Sequence, residues 1–187
     1  MKIFYHIPTG SWPLQEDPYH DFFKRLSWTN TDKESAQVLV LPGGSDIGQW
    51  PDRDWEEAIL YKEWSDTGKP VIGICRGMQL MLYLTGGDIV KHIPDATDRI
   101  MHTSSTGAWK GRSAWHTTRL GLLTNSRHHQ GFLTAPADWE VLDSTHDGVI
   151  EAVRFKNQFG VQWHPERDEM INTTALNWWT EEVKKIL

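Results

Sequence analysis

Gly73-Ile74-Cys75-Arg76-Gly77-Met78-Gln79 joins an apolar run, Val71 to Ile74, to a helical pattern, Met78 to Leu84. The run has the length of a buried strand, so Cys75 falls on the turn between strand and helix. Glycines two residues either side of it let the two elements approach closely and tolerate a strained turn, leaving the side chain exposed above the sheet. This is the pattern of a nucleophile elbow. A thiol at a helix N-terminus meets unpaired N–H groups and the positive end of the macrodipole, and both favour the thiolate. Cys75 is the only cysteine, so the chain can build neither an internal disulfide nor a multi-thiolate metal site. Taken alone, a single cysteine reads more readily as a small buried hydrophobe. Its place in G-x-C-x-G, with the partners found below, turns the reading toward catalysis.

Upstream, Gln37 to Leu41 is a second buried strand that runs into Pro42-Gly43-Gly44-Ser45-Asp46. By pattern alone this is a tight turn. Beside a thiol nucleophile it becomes a candidate oxyanion hole, because its glycines free backbone N–H groups to point at developing negative charge. Asp52 to Ser65 reads as a helix entered through Pro51, with Trp55, Ile59 and Leu60 facing inward and Gly68 and Pro70 closing it. Strand, helix, strand, helix from Val38 to Leu84 implies a parallel sheet covered on both sides. Active sites of such sheets lie at the carboxyl ends of the strands, where Gly43, Gly44 and Cys75 all fall. Further back, Met1 to Ile7 reads as a strand, Pro8 to Pro18 as a loop, Tyr19 to Leu26 as a short helix, and Ser27 to Thr29 as a weak strand.

Downstream, Gly86 to Ala137 is less regular, with β-prone pieces near Asp88 to Ile93 and His116 to Leu120. It carries His92, His102, His116, His128 and His129, but no ligand spacing links them and no metal site is assigned. Trp109 and Trp115 read as packing residues or as walls of a pocket. Glu140 to Ser144, Val149 to Phe155 and Phe159 to Trp163 read as strands, with turns at Asp147-Gly148 and Lys156-Asn157. The last leads into Gln162-Trp163-His164-Pro165-Glu166. In an extended segment residues two apart share a face, so Glu166 can reach one ring nitrogen of His164 and leave the other free. With the cysteine elbow this makes a Cys75, His164, Glu166 triad, although spacing alone does not bring His164 to Cys75. Asp168 opens a terminal helix through Leu187, with Leu176, Trp179, Val183 and Leu187 as its buried stripe and Trp178 off it.

A length of 187 residues suits one domain. The net charge of −6 and pI near 5.8 argue against nucleic acid or an anionic membrane as main partner. No apolar run approaches the roughly 20 residues of a membrane span, and the N-terminus lacks a signal-peptide pattern, so a soluble, cytoplasmic protein is expected. Eleven tryptophans are expected to fill the core and cap its edges.

Leu41-Pro42-Gly43-Gly44, the Gly73 to Gln79 segment and Gly160-Val161-Gln162-Trp163-His164-Pro165-Glu166 together resemble the class I glutamine amidotransferases. Asn125-Ser126-Arg127-His128-His129-Gln130 and Asp147-Gly148-Val149-Ile150-Glu151-Ala152 resemble the branch holding the γ-glutamyl hydrolases and γ-glutamyl-γ-aminobutyrate hydrolases. The resemblance runs in family order from about Val38 to Glu166. It implies a three-layer, flavodoxin-like α/β fold with a mostly parallel sheet. It implies Cys75 as nucleophile, His164 as base and Glu166 as its orienter, with oxyanion donors at the N–H groups near Gly44 and Arg76. Gly43, Gln79, Ser126, Arg127, His128 and His129 are implied to hold the glutamyl group, His128 foremost, with no cofactor and no metal. The implied activity is hydrolysis of a γ-glutamyl amide, with glutamine as substrate and a separate synthetase as partner in the alternative. The interval from Gly87 to Asn125 is shorter than in the longer γ-glutamyl hydrolases. Pro8 to Pro18 matches no signature of the family.

Overall fold

The computed structural model describes residues 1–5, 18–93 and 114–187. His102, Trp109 and nearly all of the Pro8 to Pro18 loop lie outside the described residues. In chain order the elements are β1 (Lys2–Phe4), α1 (Pro18–Arg25), β2 (Thr29–Asn30), β3 (Val38–Leu41), α2 (Pro51–Thr67), β4 (Val71–Ile74) and α3 (Arg76–Leu84). Then follow β5 (Ala114–Thr117), β6 (Leu123–Ser126), β7 (Glu140–Ser144), β8 (Ile150–Phe155), β9 (Gln158–Val161), a 3-10 turn (Asp168–Met170) and α4 (Thr174–Ile186).

Seven strands form one sheet in the order β2-β1-β3-β4-β9-β8-β7, and β5 and β6 form a separate antiparallel pair. The first five strands run parallel, while β8 and β7 continue the sheet antiparallel. Every residue of β3, β4 and β9 is buried, as expected at the centre of a sheet covered on both faces. The pleat divides them. Val38, Val40, Ile72, Ile74, Phe159 and Val161 pack with Phe22 and Phe23 of α1 and Trp179 and Val183 of α4. Leu39, Leu41, Val71 and Val153 pack with Tyr61 and Trp64 of α2 and Met78, Met81 and Leu82 of α3. The architecture is thus the expected three-layer α/β fold. Because Leu41 pairs with Gly73 and Ile74 with Val161, the segments leaving β3, β4 and β9 emerge side by side at one edge.

Four expectations need correction. Trp55 and Ile59 of α2 point outward, at 70% and 43% exposure, and the buried face is Arg53, Glu57, Tyr61 and Trp64. Apolarity misleads here because the charged pair is satisfied inside. The C-terminal helix does not begin at Asp168: a 3-10 turn comes first, and α4 starts after Thr173, whose hydroxyl caps it by accepting the Leu176 N–H at 3.1 Å. On α4, Leu187 is 47% exposed and Ile186 is buried instead, while Trp178 packs against the core with its ring 6.0 Å from that of Phe159. Asp88 to Ile93 forms only an isolated bridge, Val90 with Gly131. Trp163, Trp179, Trp64 and Trp139 are core residues, whereas Trp50 and Trp115 join Trp55 at the surface.

Candidate active site

Cys75 stands between β4 and α3 with φ 51° and ψ −108°, a conformation few residues with a Cβ adopt. The surroundings hold it there. Its N–H donates to the Val161 carbonyl at 2.7 Å, and its carbonyl accepts from the Gln79 N–H at 3.1 Å. Gly77 permits the approach, since a Cβ there would lie 1.9 Å from the Leu41 carbonyl oxygen. Helix α3 can start this close to β3 only with glycine at that position.

His164 arrives from the segment after β9. Its backbone is clasped by Asn125 of β6, whose Oδ1 accepts the His164 N–H at 2.8 Å and whose Nδ2 donates to the His164 carbonyl at 3.0 Å. The ring places Nδ1 2.7 Å from Glu166 Oε1, with both side chains buried. A Cβ on Gly43 would stand 2.9 Å from His164 Cε1 and 3.6 Å from the Cys75 Cβ. Histidine, cysteine and glycine loop therefore meet at one point, as the sequence led us to expect but spacing alone did not fix.

Burial pushes the His164 imidazole toward neutrality, but Glu166 and Cys75 beside it, which also hydrogen bond to it, raise it to about 10. Burial pushes the Glu166 carboxyl up, and the opposing pull of His164 outweighs this and holds it below its ordinary value. At neutral pH His164 is thus an imidazolium between a carboxylate and the sulfur. The arrangement suits covalent acyl transfer, with a proton ready for a leaving group.

The glycine loop is fixed from two sides. Tyr19 of α1 accepts the Gly43 N–H on its hydroxyl at 2.8 Å, and burial followed by Glu166 holds its phenol well above the usual range, hence neutral. Arg53 of α2 donates to the Gly43 carbonyl at 2.9 Å and pairs with Glu57 at 2.9 Å. Its guanidinium also lies where a Cβ on Gly44 would fall. Glu57 and Asp54 also pair with Arg76, which turns its side chain away from the cleft and leaves its backbone N–H in the first turn of α3. Loop and elbow are thereby tied to the same glutamate.

The residues expected to hold a substrate do not share one face. Gln79 is buried and donates to the Gln130 carbonyl at 2.9 Å and to Gln162 Oε1 at 3.2 Å. Ser126 is buried at the end of β6, and Arg127 faces Glu169 at 3.7 Å. His128 turns inward, with Nδ1 2.9 Å from the Gln130 carbonyl and Nε2 3.6 Å from Glu151. His129 turns the other way, its Nε2 2.8 Å from Asp46 of the glycine loop. Gly43, as noted, already gives its N–H to Tyr19.

Sequence reasoning assigned no role to Tyr19, Asn125, Arg53, Asp54 or Glu57. Asn125 lies inside a quoted motif, and Arg53 with Glu57 has the i, i+4 spacing of a helical ion pair; either could have been noticed. Nothing local marks Tyr19.

Comparison with known proteins places this geometry in context. A protein of Mycobacterium tuberculosis provisionally named a glutamine amidotransferase is 34% identical over 160 residues, covering 72% of this chain and 52% of its own. The chain thus spans about half the length of that relative, and 65% of a glutamine amidotransferase-like protein of Lactococcus lactis that is 28% identical to it. The imidazole glycerol phosphate synthase subunit HisH 1 of Legionella pneumophila is 27% identical over 188 residues, covering 84% of this chain and 87% of its own. The crystal structure of a glutamine amidotransferase from Thermotoga maritima superposes with a TM-score of 0.62 at 14% identity, covering 98% of this chain and 83% of that one, a likeness of fold. A family model described as Peptidase C26 matches residues 42–166. That segment runs from the glycine loop after β3 to the end of the His-Pro-Glu run and makes up well over half of the sequence, so the chain belongs to the peptidase C26 family.

Proposed function

We propose that this protein is a cysteine-dependent hydrolase that cleaves the γ-glutamyl amide bond of a γ-glutamyl conjugate, releasing glutamate and an amine. The observation that carries the reading is the meeting of Cys75, His164, Glu166 and the glycine loop at the carboxyl edge of the sheet. The Cys75 thiolate attacks the γ-carbonyl, and the oxyanion rests on the N–H groups of Gly44 and Arg76. His164 gives its proton to the departing amine as the tetrahedral adduct collapses to a glutamyl thioester. The neutral imidazole then takes a proton from water, whose oxygen attacks the thioester and frees glutamate and Cys75. Glu166 orients the ring and balances its charge throughout. Residues 1–187 act as one domain in this reading, since the central sheet draws strands from both ends of the chain.

A second reading is favoured by the extent of the match to the HisH subunit. In it the substrate is glutamine, the leaving group is ammonia, and a separate synthetase receives it.

Glutamate release from glutamine and from a panel of γ-glutamyl amines, followed by mass spectrometry with Cys75→Ala as control, tests both. Preferential cleavage of a conjugate, abolished in the variant, is expected. Turnover of glutamine alone, or only in company with a partner, replaces the first reading with the second, and turnover unchanged in Cys75→Ala overturns both.

A further inference from the structure

Next to the cysteine lies a string of buried polar groups that the proposed reaction does not use. Gln162 follows β9 and brings Nε2 within 3.6 Å of Cys75 Sγ. Its Oε1 accepts from Gln79 Nε2 at 3.2 Å, and Gln79 Nε2 also donates to the Gln130 carbonyl at 2.9 Å. The same carbonyl lies 2.9 Å from His128 Nδ1, and His128 Nε2 lies 3.6 Å from Glu151 of β8. Glu151 is wholly buried, is approached from its other side by His116 at 3.3 Å, and gives its backbone carbonyl to the Gln162 N–H at 2.8 Å. The string thus closes on itself through the β8–β9 backbone.

Its polarity is determined at one atom. A backbone carbonyl only accepts, so both groups that face Gln130 O must be donors: Nδ1–H of His128 and the amide nitrogen of Gln79. The second hydrogen of that nitrogen requires an acceptor, which turns Gln162 so that its oxygen faces Gln79. The amide nitrogen of Gln162 is then left facing the sulfur, and rotating that amide would set nitrogen against nitrogen and oxygen against sulfur. The buried carboxylate anchors the far end. Burial pushes the Glu151 carboxyl up, but the two histidines outweigh this and hold it down to about 2, so a carboxylate faces both rings.

We propose that Gln162 is a further catalytic residue, donating an amide N–H to the sulfur of Cys75, and that Gln79, His128 and Glu151 are positioning residues that fix the direction of that donor. This rests on the reading of Cys75 as nucleophile. A thiolate at the elbow then has two donors, the imidazolium of His164 and the Gln162 amide. The second holds the sulfur in place when His164 gives up its proton to the leaving amine. The other titratable groups acting at the sulfur are His164, from the segment after β9, and Tyr19 of α1. Neither is altered in the Gln162 and Glu151 variants that test this inference.

Because Cys75 is the sole cysteine, alkylation by iodoacetamide reports on its thiolate without any substrate. In Gln162→Met, which keeps the side-chain length and removes the donor, the pH–rate profile of alkylation is expected to move toward higher pH, with the rate near neutrality falling about tenfold. Glu151→Gln is expected to move it in the same direction by less. An unmoved profile in a folded Gln162→Met protein overturns the proposal. If that variant does not fold, Glu151→Gln carries the test, and an unmoved profile there overturns it equally. The nucleophile reading fails separately: wild-type alkylation that is slow at neutral pH and indifferent to His164→Ala removes it, whereas fast, His164-dependent alkylation indifferent to Gln162 removes only this inference.

Discussion

Cys75 meets two groups that lie far from it in the chain, the Gly43 loop and the His164–Glu166 pair. His164 and Glu166 were legible because two residues on one face of an extended segment need no tertiary information to be paired. Their meeting with Cys75 was not, since it depends on β4 and β9 being neighbours in the sheet. The buried pair leaves a mark on stability. His164 is raised from 6.5 to about 10, so its contribution is complete below about 6.5 and is lost as pH rises toward 10. Glu166 is lowered from 4.5, so its contribution is complete above about 4.5 and is lost as pH falls through its depressed value. Both are in force between about 4.5 and 6.5. Glu166→Gln is therefore expected to lose most stability in that window, about 3–5 kcal/mol, with the deficit narrowing toward pH 10. Urea titrations across the pH range check this, and a deficit that does not vary with pH contradicts it. Activity should fall about 10²–10⁴-fold in the same variant at neutral pH, through loss of the ring's orientation and charge balance.

Helix α2 is the element in which the sequence was hardest to read. Its existence followed from Pro51 and Gly68, but its rotation did not, because the residues facing inward are Arg53 and Glu57 and those facing out include Trp55 and Ile59. Hydrophobic periodicity assumes that charge is costly to bury. That cost is offset when Glu57 receives two guanidinium groups and one of these also caps the Gly43 carbonyl. Removing Glu57 leaves both arginines short of a partner, so Glu57→Ala is expected to lose about 3–5 kcal/mol in urea unfolding, with activity lost alongside stability because loop and elbow share the anchor. A stable, fully active variant would show that the network is dispensable. At the other end of the elbow, Gly77→Ala inserts a Cβ against the Leu41 backbone and should destabilise the protein or displace Cys75. A lowered Tm or slowed alkylation of Cys75 would register it, and neither changing would contradict the packing described.

At the scale of the whole molecule, the parallel pairing of β3 with β4 could be anticipated from strand, helix, strand, helix between Val38 and Leu84, and the carboxyl edge could be named as the site, whereas the place of β9 beside β4 could not. The antiparallel β8 and β7 were visible as strands but not as part of the same sheet, because hairpin signals do not reveal which edge a hairpin joins. The face covered by α1 and α4 is the supporting side. Trp179 there packs against Phe22 and Trp28, and Trp179→Ala is expected to cost about 3–5 kcal/mol while leaving the kcat of the folded protein close to wild type. A large loss of kcat with little loss of stability would mean that this layer acts on the chemistry directly. Covalent labelling reads directly whether Cys75 is the proposed nucleophile of a site that takes a glutamyl group. The protein would be incubated with a glutamine analogue bearing a diazoketone in place of the amide, and the adduct located by peptide mass spectrometry. One equivalent of label on Cys75, slowed by excess γ-glutamyl amide and by His164→Ala, is predicted; absence of label, or label on another residue at undiminished rate in Cys75→Ala, would contradict the account.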